Sequence, residues 1–99
     1  MKVICVDDEP LAVEYTLKQC EQLPEISQAQ GFTDAREALD WLREHAADLA
    51  ILDINMPQID GIALAAQIKL LHPKTSILFL CSFGKSIKFY SCYLIIIFQ

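Results

Sequence analysis

A chain of 99 residues with a formal net charge of −5 has room for one small core, and its acidic balance argues against a nucleic-acid reader, which carries a basic face. Hydrophobic residues make up 54% of the chain, and much of that excess falls in the last residues. Cys5, Cys20, Cys81 and Cys92 show no metal-ligand spacing, and the acidic Asp7-Asp8-Glu9 leaves no room for a signal peptide; reduced thiols and a cytoplasmic location are expected.

Lys2 to Val6 reads as a first strand. Asp8-Glu9-Pro10 opens a helix, with acidic residues and a proline in its first turn, and Asp8 is a candidate cap. Val13, Leu17 and Cys20 form its inward stripe, and Pro24 stops it. Ile26 to Phe32 is a weaker strand whose polar residues suit a sheet edge. Thr33 or Asp34 caps a second helix, with Glu37 placed to close a capping box from Asp34. Ala35, Ala38, Leu39 and Leu42 make its buried stripe, and Trp41 falls off it, partly exposed.

Leu49-Ala50-Ile51-Leu52-Asp53 is an unbroken apolar run ending in one carboxylate, as expected of a strand buried on both faces. A loop with Pro57 follows. Asp60 caps a third helix, Gly61 to His72, with Leu64, Ile68 and Leu71 inward and Pro73 as its stop. Thr75 to Leu80 is a fourth apolar strand. The alternation of strands and helices implies an α/β fold with a parallel sheet and right-handed crossovers. Ligands of such sheets bind beyond the carboxyl ends of the strands. Asp7, Asp8 and Asp53 then converge at one edge if their strands are neighbours. Three converging carboxylates repel unless a proton or cation sits among them, and hard oxygen ligands favour magnesium.

The pairing of Val-Asp-Asp-Glu-Pro at residues 6–10 with Asp-Ile-Asn-Met-Pro-Gln-Ile-Asp-Gly at residues 53–61 resembles the receiver domain of two-component response regulators. The resemblance covers residues 1–81 of a single domain, 1–99. Its opening, Cys-Val-Asp-Asp-Glu-Pro-Leu-Ala, is most similar to receivers of LytTR-type regulators. It implies a flavodoxin-like (CheY-like) sheet of order 2-1-3-4. It implies that Asp53 is the phosphoacceptor, and that Asp7, Asp8, Asp53 and the main-chain carbonyl of Asn55 hold Mg2+. The partner it implies is a histidine kinase; the acidic charge argues against direct nucleic-acid contact, and the short apolar tail against a membrane.

Two family residues have no match. Receivers place Thr or Ser at the end of the fourth strand, where this chain has Cys81, with Ser82 expected to point away. They also place a Lys after a fifth strand; Lys85 and Lys88 come too early. The usual fourth helix, fifth strand and fifth helix are therefore expected to be missing, or replaced by a divergent tail, 82–99. Tyr93 to Phe98 has strand character and is too short to span a membrane. A parallel return to the fourth strand needs about a dozen linking residues. Exchange of this tail between two copies is the expected solution, giving a homo-oligomer built from the fourth strand and the tail. Two other functions remain open: an interaction module without phosphotransfer, and a magnesium-dependent aspartyl phosphohydrolase. The second lacks a carboxylate two residues after Asp53, where Asn55 stands. The chain is thus expected to be a phosphoacceptor, not an enzyme, with impaired switching.

Overall fold

The computed structural model describes residues 1–82 and 93–98. Its elements are β1 (Lys2–Val6), α1 (Pro10–Glu21), β2 (Gln28–Phe32), α2 (Ala35–Leu42), β3 (Leu49–Asp53), α3 (Gly61–Leu71), β4 (Ser76–Ser82) and β5 (Tyr93–Phe98). One sheet holds all the strands in the order β2-β1-β3-β4-β5. The first four are parallel and reproduce the flavodoxin-like order 2-1-3-4. Parallel neighbours require crossovers, and α1, α2 and α3 supply them.

The two sheet faces are covered unequally. Ile4, Val6, Ala50, Leu52, Ile77 and Phe79 pack under Ala38 and Leu42 of α2 and Leu64 and Ile68 of α3. Val3, Cys5 and Ile51 lie on the other face with Cys20 of α1, flanked by half-buried Leu49, Leu78 and Leu80. Gly31 permits the approach of α1 to β2: a Cβ there would meet the Val13 and Leu17 side chains. No helix among the described residues is long and apolar enough to cross a membrane.

Several local expectations hold. β2 is an edge strand. Asp34 caps α2, accepting from the Arg36 N–H at 2.8 Å, and Asp60 caps α3, accepting from the Ala63 N–H at 2.7 Å. Trp41 is half-buried, stacked on the His45 ring at 4.2 Å between centroids. Others need correction. The N-cap of α1 is Glu9, with no side-chain cap bond, and not Asp8. Leu71 is 41% exposed, because the last turn of α3 carries it past the edge of the core.

The tail requires the larger correction. Tyr93–Phe98 lies beside β4 of its own chain, antiparallel, with Phe79 opposite Ile96 and Leu80 opposite Ile95. The expected exchange between copies assumed a parallel return. An antiparallel neighbour needs no crossover, and a tight hairpin can suffice. The ten residues between Ser82 and Tyr93 are ample. The edge of β4 is therefore closed within one chain, and β4 does not offer the self-association surface expected of it. Lys85 and Lys88 lie outside the described residues.

Candidate phosphoacceptor site

β1 and β3 are hydrogen-bonded neighbours, with Val6 opposite Leu52, so both end at the same edge. Asp7 and Asp8 follow β1, and Asp53 is the last residue of β3. One carboxylate oxygen from each lies within 4.8 Å of the others. Asp53 is buried at 6% exposure, while Asp7 and Asp8 are half-buried.

Main-chain bonds fix the edge. The Asp7 N–H donates to the Phe32 carbonyl at 3.1 Å, tying the end of β1 to β2. Its Oδ1 accepts from the Glu9 N–H at 2.9 Å, turning the chain into α1. The Ile54 N–H donates to the Leu80 carbonyl at 3.2 Å, and the Gly61 N–H donates to the Ile54 carbonyl at 2.9 Å. The Asn55 N–H donates to Asp53 Oδ1 at 3.2 Å. Asn55 itself is exposed and lines a hollow with Asp8, Glu9, Met56, Pro57 and Asp60. Cys81 lies on β4 one residue beyond Leu80, the partner of Asp53 in the register.

The carboxylates also act on their neighbour beneath. Burial pushes the Cys5 thiol up from 9.0 to about 12, a hydrogen bond with Thr16 opposes this, and the charges of Asp7 and Asp53 add to the rise. A neutral thiol under three acids leaves the cluster without a nearby thiolate to repel it.

The donor set fits a small hard cation. Opposed oxygens around magnesium stand about 4.2 Å apart, twice a metal–oxygen bond of 2.0–2.1 Å. Only one pair of three ligands can be opposed, and adjacent oxygens stand about 2.9 Å apart, so three carboxylate oxygens within 4.8 Å of one another reach one ion by closing in or through intervening water. Volume alone would not have found this place. A larger hollow of about 580 Å3 lies along α2, lined by Arg36, Leu39, Arg43 and Gln67, and contains none of the three acids. Sequence reasoning also missed Gly61 as a site residue. A Cβ at that position would collide with the Asp53 carbonyl oxygen and stand 2.9 Å from Ile54 Cα. The signal was its place at the end of the motif of residues 53–61, where a helix begins.

Comparison with known proteins identifies the family of the fold. The family model of the response regulator receiver domain matches residues 3–93, so the match continues well past Leu80, where the sequence resemblance was expected to stop. The chain is 36% identical over 92 residues to the Fimbriae Z protein of Salmonella typhimurium, covering 90% of this chain and 41% of that protein. It is 37% identical over 82 residues to a protein-glutamate methylesterase/protein-glutamine glutaminase of Carboxydothermus hydrogenoformans, covering 83% of this chain and 23% of that one. The isolated receiver domain of RcsB from Salmonella enterica serovar Typhimurium, solved with the phosphomimetic BeF3−, superposes with a TM-score of 0.75 at 31% identity, covering 86% of this chain and 64% of that one. The chain spans less than half the length of these two curated relatives. A family match over most of the chain, on a 2-1-3-4 sheet with acids gathered at its carboxyl edge, makes this chain a member of the response regulator receiver domain family of two-component systems.

Proposed function

We propose that the chain is a phosphoacceptor in a two-component phosphorelay, with Asp53 as the acceptor. The observation that carries this reading is the convergence of Asp7, Asp8 and Asp53 at one sheet edge. An Asp53 carboxylate oxygen attacks phosphorus, the donor's bond to phosphorus breaks, and the leaving group keeps the electron pair. Such transfer needs positioning and charge neutralisation above all. Asp7, Asp8, Asp53 and the Asn55 carbonyl are the residues assigned to Mg2+, which would neutralise charge on the phosphoryl oxygens. The hydrogen bond from the Asn55 N–H holds Asp53 in place for the attack.

The donor is a histidine kinase, and the setting is the cytoplasm. The chain is consumed as a substrate in each transfer and does not turn over as an enzyme; the esterase activity named for one relative belongs to that protein. The opening Cys-Val-Asp-Asp-Glu-Pro-Leu-Ala supports a LytTR-type receiver. Residues 1–99 form one domain, and the family match over residues 3–93 carries its receiver-like part into the tail that begins at residue 82. Cys81 at the switch position supports impaired switching, because a thiol is a weak donor to a phosphoryl group.

The test is incubation with acetyl phosphate and magnesium, read by intact mass. One phosphoryl group is expected on the wild type, none on Asp53→Asn, and none in excess chelator. An unmodified wild-type chain, or equal modification of Asp53→Asn, overturns the reading.

A further inference from the structure

Both arginines of this chain line one hollow of about 580 Å3, Arg36 in the first turn of α2 and Arg43 at its C-cap. That volume falls within the roughly 300–1,000 Å3 of small-ligand sites. The floor is apolar: Ala35 is buried, and Leu39 and Ile59 are half-buried against the main core. The rim is polar, with exposed Gln58 from the loop after Asp53 and exposed Gln67 of α3. The charges on that rim are unequally committed. Asp40 holds Arg43 in an ion pair, and Asp34 accepts the main-chain N–H of Arg36 as the cap of α2. The Arg36 guanidinium has no ion-pair partner among the described residues.

We propose that this hollow binds the carboxyl-terminal end of a short peptide, with the terminal carboxylate on the Arg36 guanidinium, the amides on Gln58 and Gln67, and an apolar side chain on Leu39 and Ile59. Each part of the ligand follows from a part of the hollow. A guanidinium presents a planar fork that matches a carboxylate with two parallel hydrogen bonds. In a chain of net charge −5, an uncommitted guanidinium is a place that attracts an anion. Asp34 and Asp40 on the same rim oppose a second negative charge, so a single carboxylate is favoured over a dianion such as phosphate. A glutamine amide offers both donors and an acceptor, which is what a peptide main chain requires. Length agrees as well. Seven residues of helix separate Arg36 from Arg43, about 10 Å. Three extended peptide residues span about the same distance.

Calorimetric titration of the full chain with N-acetyl-alanyl-alanyl-leucine should show one-to-one binding between micromolar and millimolar concentration. The same peptide with its carboxylate amidated should bind at least about tenfold more weakly, because the charged fork is lost. Arg36→Gln should weaken the acid peptide by a similar factor. It keeps a good helix former at an exposed position, so the thermal midpoint should stay at the parent value. Arg36→Lys restores the charge without the fork and should recover only part of the affinity. Inorganic phosphate in excess should not displace the peptide. A longer peptide with the same last three residues separates two sources of the ligand. Equal affinity points to free short peptides and tighter binding to the end of a partner protein, and either result supports the site. No binding of the acid peptide at millimolar concentration overturns the proposal. So does equal binding of the amidated peptide, displacement by phosphate, or unchanged affinity in Arg36→Gln. The titrations need neither magnesium nor a phosphodonor and can be repeated in Asp53→Asn, so their outcome is independent of the phosphoacceptor reading.

Discussion

The N–H of Gly61 donates to the carbonyl oxygen of Ile54 at 2.9 Å, so the first residue of α3 is fastened to the residue that follows Asp53. The groups that a Cβ at Gly61 would meet, the Asp53 carbonyl oxygen and Ile54 Cα, are main-chain atoms that cannot swing aside. Gly61→Ala is expected to destabilise the protein by about 1–3 kcal/mol through overpacking. It should also slow phosphorylation by acetyl phosphate, because relief of the clash moves Asp53. Urea unfolding and intact-mass kinetics check both. Loss of stability with an unchanged rate would confine Gly61 to a packing role.

The crowding of Asp7, Asp8 and Asp53 within 4.8 Å should be visible without any phosphodonor. Asp8→Asn removes one negative charge from the cluster. Metal-free, the variant should melt higher by roughly 4–8 °C, which corresponds to about 1 kcal/mol in a domain of this size. Its affinity for magnesium should fall by about tenfold or more, the loss of roughly 1.4 kcal/mol. Calorimetric titration and melting in chelator test the pair, and equal magnesium affinity in both proteins counts against the site.

The two capped helices offer an internal control. Asp34→Ala and Asp60→Ala each remove a side-chain acceptor from a helix start, and each should cost about 1 kcal/mol. Only Asp60 adjoins Gly61 and the loop after Asp53. The rate with acetyl phosphate should therefore drop for Asp60→Ala and stay near the parent value for Asp34→Ala.

Burial raises the Cys5 thiol from 9.0 to about 12, and burial raises that of Cys20 as well. Below pH 9 the thiols are protonated in both folded and unfolded chains, and their full contribution to stability is present. Above pH 9 the unfolded thiols ionise while the folded Cys5 holds its proton until about pH 12, so stability is lost across that window. In chelator, the urea midpoint should fall from pH 9 upward, and Cys5→Ala should flatten the fall. At neutral pH, Cys5 and Cys20 should react with a thiol reagent only when the chain unfolds.

Cys81 sets the expectation for switching. A hydrogen bond to a charged group contributes about 1.5–3 kcal/mol, and a thiol supplies little of it. Beryllofluoride should shift amide resonances near Asp7, Asp8 and Asp53 and few beyond them. Cys81→Thr should extend the shifts along β4. A response through β4 in the parent chain would contradict this account.

Much of this protein is decided by its sequence. Apolar runs ending at Val6 and Asp53 specify buried strands, because a strand covered on both faces has no place for polar side chains. Asp34 and Asp60 could be assigned as caps because a helix start leaves N–H groups that a nearby carboxylate satisfies. Asp7, Asp8 and Asp53 could be grouped because parallel neighbours end at one edge.

What the tertiary structure alone decided concerns contacts between segments that are not periodic in the chain. Leu71 has the right spacing for the buried stripe of α3 and faces outward, because the core ends before the helix does. Gly61 is required by main-chain atoms of Asp53 and Ile54, and no pattern in the sequence records a close approach. The direction of Tyr93–Phe98 was beyond reach for a related reason. An uncharged apolar strand carries no polarity that distinguishes a parallel from an antiparallel neighbour, and only its pairing with β4 in three dimensions shows the choice.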